Sequence, residues 1–389
     1  MTPRKPRFVG ERQAAALKDV CQLVMGQSPS SESYNSEGEG LPFYQGNADF
    51  GEVSPTPRVW CTDPKKVADK GDILISVRAP IGAVNIANED CCIGRGVAAI
   101  RPKDDAVSTE FLKHQLLASR KKLESMGTGS TFKAVGKKAM SEFCVSVYPK
   151  NVQTEIGHQL DWVTDQIKVG EALIKKLDQL VKSRFVEMFG DVSNYEARPL
   201  VDCVAGIESG KSPKCMSNPR VNGGPAVLKL SAISSGVYLE AENKALLPDD
   251  EVIPQKVVVD GDILLSRKNT PELVGRSVLV DHTDGNVMFP DIVFRMHVRP
   301  GVNAVYLSQL LSGPLFGSIR SLAHGSAKSM SNIPKSELAM LEIPLPPLEL
   351  QQEFADFAAQ VDKSRFVARQ QIEKLQTLYD SLAQDYFGD

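Results

Sequence analysis

The chain has 389 residues, 42% of them apolar, which is enough for two or three domains with real cores, and a net charge of −3 that neither requires nor excludes a polyanionic partner. No run of eighteen apolar residues occurs and the basic start, Met1 to Arg12, is not followed by an apolar stretch, so neither a spanning helix nor an export signal is expected, and a cytoplasmic protein is. The 7 cysteines are scattered without a CxxC and the 5 histidines show no ligand spacing beside them, which points to reduced, buried thiols and to no metal site.

Read in order, the chain opens with Leu17-Lys18-Asp19-Val20, then Gly26-Gln27-Ser28-Pro29. Gly71-Asp72 reads as a turn that launches the short apolar strand Ile73-Leu74-Ile75-Ser76, with Arg78 just beyond it. After Arg101-Pro102, the run Phe111-Leu112…Gln115-Leu116-Leu117 reads as a short amphipathic helix with Ser108 as its N-cap. A Gly-Ser loop, Gly127 to Lys133, and a strand from Phe143 to Val147 lead into a long helical stretch, Asn151 to Asp191.

Along that stretch Ile156, Leu160, Val163, Ile167, Gly170, Ile174, Leu177 and Val181 fall at alternating steps of four and three, the seam of a coiled coil. A helix of about forty residues reaches roughly 60 Å, longer than a globular core needs. Moving 198 positions on gives Phe354, Ala358, Val361, Arg365, Ala368, Ile372, Leu375 and Tyr379, so a second long helix, Glu349 to Asp389, repeats most of the seam. Both stretches end on Phe-Gly-Asp, where Gly190 and Gly388 suit the left-handed residue that closes a helix.

The repeat also takes in the globular parts. Leu200-Val201-Asp202-Cys203 with Gly210-Lys211-Ser212-Pro213, then Gly261-Asp262-Ile263-Leu264-Leu265-Ser266 with Arg267, Arg299-Pro300, and Tyr306-Leu307…Gln309-Leu310-Leu311 behind Asn303 retrace the first pass. The expected fold is α+β, a pseudo-two-fold tandem repeat: a globular domain at 1–150, a central spacer helix at 151–192, a second globular domain at 193–348 and a C-terminal spacer helix at 349–389. The two helices are expected to pair antiparallel through Ile156, Leu160, Val163, Ile167, Ile174, Leu177 and Val181 on one and Phe354, Val361, Ile372, Leu375 and Tyr379 on the other. Trp162, Phe357, Phe366 and Tyr386 beside the seam suggest that a partner covers part of it. Two similar ligand faces held a fixed distance apart suit duplex DNA, whose half-sites recur about every 34 Å.

Positive charge gathers where such a ligand would want it. Arg120, Lys121, Lys122, Lys133, Lys137 and Lys138 stand against Glu124 alone, around a loop that includes Thr131, and the equivalent loop carries Ser326, Lys328 and Ser329. Small residues let backbone approach a phosphate, and lysine releases counterions. Donors able to read base edges are Gln27, Ser28, Gln45, Arg78 and Arg95 in the first half, and Lys211, Ser212, Lys214, Lys229, Arg267, Lys268, Asn269 and Arg276 in the second. The acidic stretch from Glu240 to Asp262 is expected to face away from DNA.

No motif for chemistry survives inspection. Gly206-Ile207-Glu208-Ser209-Gly210-Lys211-Ser212 lacks one residue of a phosphate-binding loop and runs into Pro213 where a helix should start. The carboxylates of Asp249, Asp250 and Glu251 have neither the E-x-K of a nuclease nor a counterpart in the first half, and no nucleotide-binding, methylating or hydrolytic signature occurs. A non-catalytic chain is expected. The alternatives are a coiled-coil scaffold or adaptor that does not touch DNA, and a nuclease whose carboxylate cluster is not found.

The ordered, doubled motifs resemble the specificity (S) subunit of type I restriction-modification enzymes, from about Leu17 to Asp389. The resemblance is carried by the paired Leu17-x-Asp19…Gly26-Gln27-Ser28-Pro29 and Leu200-x-Asp202…Gly210-Lys211-Ser212-Pro213, the paired Gly-Asp-Ile-Leu strands and Gly325-Ser326-Ala327-Lys328. Most specific is Ile343-Pro344-Leu345-Pro346-Pro347-Leu348-Glu349-Leu350-Gln351-Gln352-Glu353-Phe354. It implies two target recognition domains, each reading one half of a bipartite, asymmetric sequence in double-stranded DNA, and spacer helices that set the gap. Two methyltransferase (M) subunits and motor-nuclease (R) subunits would be the partners, with no membrane involved. This chain would bind no cofactor of its own, S-adenosylmethionine, ATP and Mg belonging to the partners. The first half departs from the family pattern at Tyr148-Pro149-Lys150-Asn151-Val152, which replaces the proline-rich exit, and at Phe132-Lys133, which lacks the glutamine often seen there.

Overall fold

The computed structural model describes residues 12–104, 106–129, 133–325 and 330–388. The chain forms two compact units, one of residues up to 172 together with those from 369 on, the other of residues 173–368. The two long helices, Lys150–Phe189 and Leu348–Phe387, each give one part to each unit.

In the first unit a four-stranded antiparallel sheet runs in the order Cys21–Met25, Val97–Pro102, Ile73–Ser76, Val84–Ile86. Strand alternation splits its side chains between two cores. Ile73, Ile75, Ala98 and Ile100 face the core shared with the helices, and Leu74, Val97 and Ala99 face the other side with Tyr44 and Ile93. Both faces are covered, so the strand reads as an unbroken apolar run, each buried Ile or Leu contributing about 1.5–3 kcal/mol. The second unit repeats the sheet as Val204–Ser209, Val293–Val298, Ile263–Ser266, Ser277–Leu279, with Ile263 and Leu265 on the helix side and Leu264 on the other. A parallel pair lies beyond each sheet, Leu41–Tyr44 with Cys91–Ile93 and Ala226–Leu228 with Val287–Met288.

The doubled Gly-Asp turn has a physical reason. Gly71 and Gly261 sit at φ +90° and +86°, which disfavours a side chain. The aspartate next to each closes the turn by accepting a backbone N–H, from Asp69 at 2.9 Å and from Val259 at 2.8 Å. Arg101 then donates two parallel hydrogen bonds to Asp72, at 2.7 and 2.8 Å. The short helices cap as expected: Ser108 Oγ accepts from Phe111 N–H at 3.2 Å, and Asn303 Oδ1 accepts from Val305 N–H at 2.9 Å.

Within each unit the long helices run antiparallel. In the first, Tyr386 O–H donates to Gln159 at 2.7 Å, and Gly170 faces Ile372 so closely that an added Cβ would lie 2.8 Å from its Cγ1. In the second, the Arg365 guanidinium pairs with Asp178 at 2.8 Å, and the Phe185 and Phe354 rings meet edge to face at 5.3 Å. Of the seam residues, Ile156, Leu160, Val163, Val181, Phe354, Val361 and Tyr379 are buried, while Ile167, Ile174, Leu177, Ile372 and Leu375 are half-buried.

Two expectations change. Tyr386 is buried, its hydroxyl spent on Gln159 and its carbonyl on Tyr148, while Trp162 and Phe366 beside the seam stay 58% and 60% exposed. Gly190 takes the left-handed conformation at φ +57°, but Gly388 does not. Its N–H continues the helical pattern to Gln384 at 2.9 Å, and Arg12 closes that end by donating to the Phe387 carbonyl at 3.3 Å and to that of Gly388. A cation there satisfies the dipole as well as the orphan carbonyls.

Candidate nucleic-acid interface

In both units the segment that follows the basic loop is stitched to the residues just past the Gly-Asp-Ile-Leu strand. Val135 N–H donates to Val77 O at 2.9 Å and Ala79 N–H to Lys133 O at 3.2 Å; in the second unit Ile333 N–H donates to Arg267 O at 2.8 Å. Arg78 thereby bridges Ala134, as Lys268 and Asn269 pair with Asn332 and Ser331. Thr131, Ser326, Lys328 and Ser329 lie outside the described residues.

The first unit brings its candidates together. Gln45, Arg78 and Arg95, from segments far apart in sequence, line one cleft of about 130 Å³ with Asn47 and the backbone of Gly46, Ala79 and Gly96. Ser28 Oγ accepts Arg95 N–H at 3.4 Å, and Gln27, anchored by its N–H to Ile93 O at 2.9 Å, leaves its side chain exposed beside it. Lys133, Lys137 and Lys138 are exposed, the last two opening the short helix Lys137–Ser141.

The second unit does not repeat that arrangement. Lys211 and Lys214 are exposed, but Ser212 is bonded to Asp291 and Lys229 to Glu242 at 3.2 Å. Ser212 and Lys229 border a groove of about 510 Å³ with Lys244, Cys215 and Ile292. Arg267 spends its donors on Asn332 and Ser209 at 3.3–3.4 Å and lies 5.0 Å above Phe294. Arg276 stacks on Phe316 at 4.4 Å with its Nε buried and unpartnered. Asn269 is only 5% exposed, its Oδ1 holding Thr270 N–H, because strand alternation turns it inward where the neighbouring Lys268 is half-exposed.

Two structural devices have no role that the sequence assigns, although the first pair, Gln153 and Gln351, occupies matching positions of the repeat. Gln153 and Gln351 are buried amides at the start of each long helix. Gln153 accepts Ser108 N–H at 2.8 Å and donates to Ala106 O at 3.0 Å and Tyr148 O at 2.7 Å; Gln351 accepts Asn303 N–H at 2.9 Å and donates to Pro346 O at 2.8 Å. Their shared place in the repeat was the available signal. The other is His114, 1% exposed, whose Nε2 meets Asp161 at 2.9 Å and whose Nδ1 meets the Tyr379 hydroxyl at 3.0 Å, while Lys113 reaches the same carboxylate at 2.7 Å. Burial holds the imidazole below its ordinary pKa. Burial also pushes the Asp161 carboxyl up, but hydrogen bonds from Lys113 and His114 outweigh it and keep it low. The Cys21, Cys91 and Cys92 thiols are pushed up to about 12 by burial, which makes them poor nucleophiles.

Among the described residues no helix is long and apolar enough to cross a membrane. A family model described as the type I restriction modification DNA specificity domain matches residues 11–179. The chain is 42% identical over 163 residues to a protein of Methanocaldococcus jannaschii provisionally named the MjaX type I restriction enzyme specificity subunit, an alignment covering 42% of this chain and 38% of that one. It is 35% identical over 153 residues to the EcoEI type I restriction enzyme specificity subunit of Escherichia coli, covering 39% of this chain and 26% of the relative. The chain thus aligns with well under half of the length of these relatives. The crystal structure of the type I restriction-modification system S subunit from M. genitalium has the same fold, with a TM-score of 0.56 at 14% identity and all of both chains covered. Residues 11–179 thus match the type I restriction modification DNA specificity domain, and the whole chain, a four-stranded sheet given twice with a long helix after each, shares its fold with a type I restriction-modification S subunit.

Proposed function

We propose that this chain reads a bipartite, asymmetric sequence in duplex DNA and positions methyltransferase and restriction subunits on it. Each globular part takes one half-site, and the long helices set the number of base pairs between them. The observation that carries this reading is the doubled stitching of the segment after the basic loop to the end of the central strand, Lys133 and Val135 to Ala79 and Val77 in one unit and Ile333 to Arg267 in the other, which in the first unit holds the exposed Lys133 on a rigid frame. Lysines such as Lys133, Lys137 and Lys138 grip phosphates with salt-dependent affinity, and a few forked side chains read base edges. The chain supplies recognition and no chemistry. S-adenosylmethionine, ATP and Mg act on the partner subunits, which take the target adenine out of the stack.

The test is an exchange of halves. Residues 17–148 are replaced with the same region of another specificity subunit, and the methylated motif is read in cells that also make the methyltransferase subunits. One half of the motif is expected to change and the other to stay; an unchanged motif overturns the reading.

A further inference from the structure

Between residues 12 and 149 most arginines are already occupied. Arg58 pairs with Asp49, Arg101 with Asp69 at 2.7 Å and with Asp72, and Arg120 with Glu124 at 3.0 Å, while Arg12 covers the carbonyls at a helix end. Among the described residues Arg78 and Arg95 have no such partner, and these two line the same cleft. In the second unit the arginines nearest the equivalent place, Arg267 and Arg276, are held by Asn332, Ser209 and aromatic rings.

The rim that carries the two free guanidinium groups is built to keep still. Val77 N–H donates to Gly96 O at 2.9 Å and Gly96 N–H to Gln45 O at 3.1 Å, which ties the three segments together at the cleft floor. A Cβ on Gly96 would lie 2.3 Å from Gln45 O, so the close approach depends on glycine. Asp49 fixes the turn opposite by accepting the N–H groups of Gln45 at 2.7 Å and Gly46 at 3.2 Å. Among the described residues no carboxylate lines the cleft.

Such a cleft wants a flat ligand with paired acceptors. Guanine offers N7 and O6 side by side in the major groove, where adenine offers one acceptor beside a donor and thymine one acceptor beside a methyl group. A phosphate also offers paired acceptors. The amides of Gln45 and Asn47, each both donor and acceptor, match the mixed edge of a neighbouring base instead, and lysines at 133, 137 and 138 supply charge for the backbone.

We propose that Arg78 and Arg95 are the specificity-determining residues of the first unit, that each reads a guanine, and that Gln45 reads the base beside them. This rests on the duplex-reading function proposed above. The experiment selects bound duplexes from a random-sequence pool, using the full chain assembled with its methyltransferase subunits, in wild-type form and as Arg78→Gln, Arg95→Gln and Lys133→Ala. The wild type is expected to enrich a motif with guanines in the half-site that exchange of residues 17–148 alters. Each arginine variant should lose about tenfold of the preference at one guanine, with the other half-site, the salt dependence and the urea unfolding midpoint unchanged. Lys133→Ala should weaken all duplexes alike and flatten the salt slope by about one.

If the arginine variants instead behave like Lys133→Ala, the cleft is a phosphate clamp and the guanine assignment falls while the duplex reading stands. If the altered half-site contains no guanine, the assignment falls in the same way. Should the wild type enrich nothing, both readings fail together.

Discussion

The two places where a long helix meets its globular core share a backbone and differ in what fills it. In the first unit the filling mixes rings with a polar set: Phe111 meets Phe387 at 5.2 Å and Tyr148 at 5.8 Å, and His114 sits between Asp161 and the Tyr379 hydroxyl, with Lys113 on the same carboxylate. In the second it is aromatic, with Phe185, Phe189, Tyr306 and Phe354 packed at ring-centroid distances of 4.7–5.6 Å. The buried glutamine of each junction is the same in both. The difference teaches which part of a duplicated fold is constrained. Backbone groups that must be satisfied keep their partners, whereas the packing around them varies: both copies use rings, and the first adds a buried polar set that is tolerated because its members bond one another.

The aromatic side of the comparison breaks with the largest effect. Phe354→Ala removes a fully buried ring that touches two others, and is expected to cost the second unit about 3–5 kcal/mol, read as a drop in the urea midpoint at unchanged slope. A loss under about 1 kcal/mol would mean that the cluster collapses around the gap and does little for the junction.

The shared element should give equal and smaller effects. Gln153→Ala and Gln351→Ala each leave a buried N–H of the preceding helix entry without its acceptor, at about 1–3 kcal/mol apiece. Hydrogen exchange at Ser108 and Asn303 would report it. Strongly unequal losses would show that the two junctions are not mechanically alike.

The polar side should show the smallest effect, visible only in its pH dependence. Burial lowers the His114 pKa from 6.5, so below about that pH the unfolded chain takes up a proton that the folded chain refuses, and stability falls as pH falls. Asp161, held low by Lys113 and His114, adds a separate loss further into acid, as pH drops through its folded-state value. Lys168 also faces the imidazole and disfavours its charge. His114→Phe is expected to flatten the stability profile just below pH 6.5 relative to wild type, since exposed histidines such as His158 and His282 remain in both. An identical profile in the variant would show that protonation of His114 is not what the first unit feels.

Much of the architecture was legible in the residues. The heptad steps of Ile156 to Val181 and Phe354 to Tyr379, the Gly-Asp turns and the caps Ser108 and Asn303 are local signals, each set by neighbours within a few positions, and local backbone chemistry decides them. The candidate site was legible only as a set of residue types. Gln45, Arg78 and Arg95 stood out as forked or amide donors, but that they meet in one cleft depends on Gly96 joining Gln45 and Val77 through backbone hydrogen bonds across distant segments. Asn269 and Arg276 looked equally available in sequence and are not, since strand alternation buries one and Phe316 covers the other. Sequence alone thus determined the repeat, the rods and the turns, because those follow from periodicity and from φ angles that few residues tolerate. Which donors remain free was decided by tertiary structure, because a side chain's availability depends on the long-range partner that reaches it first.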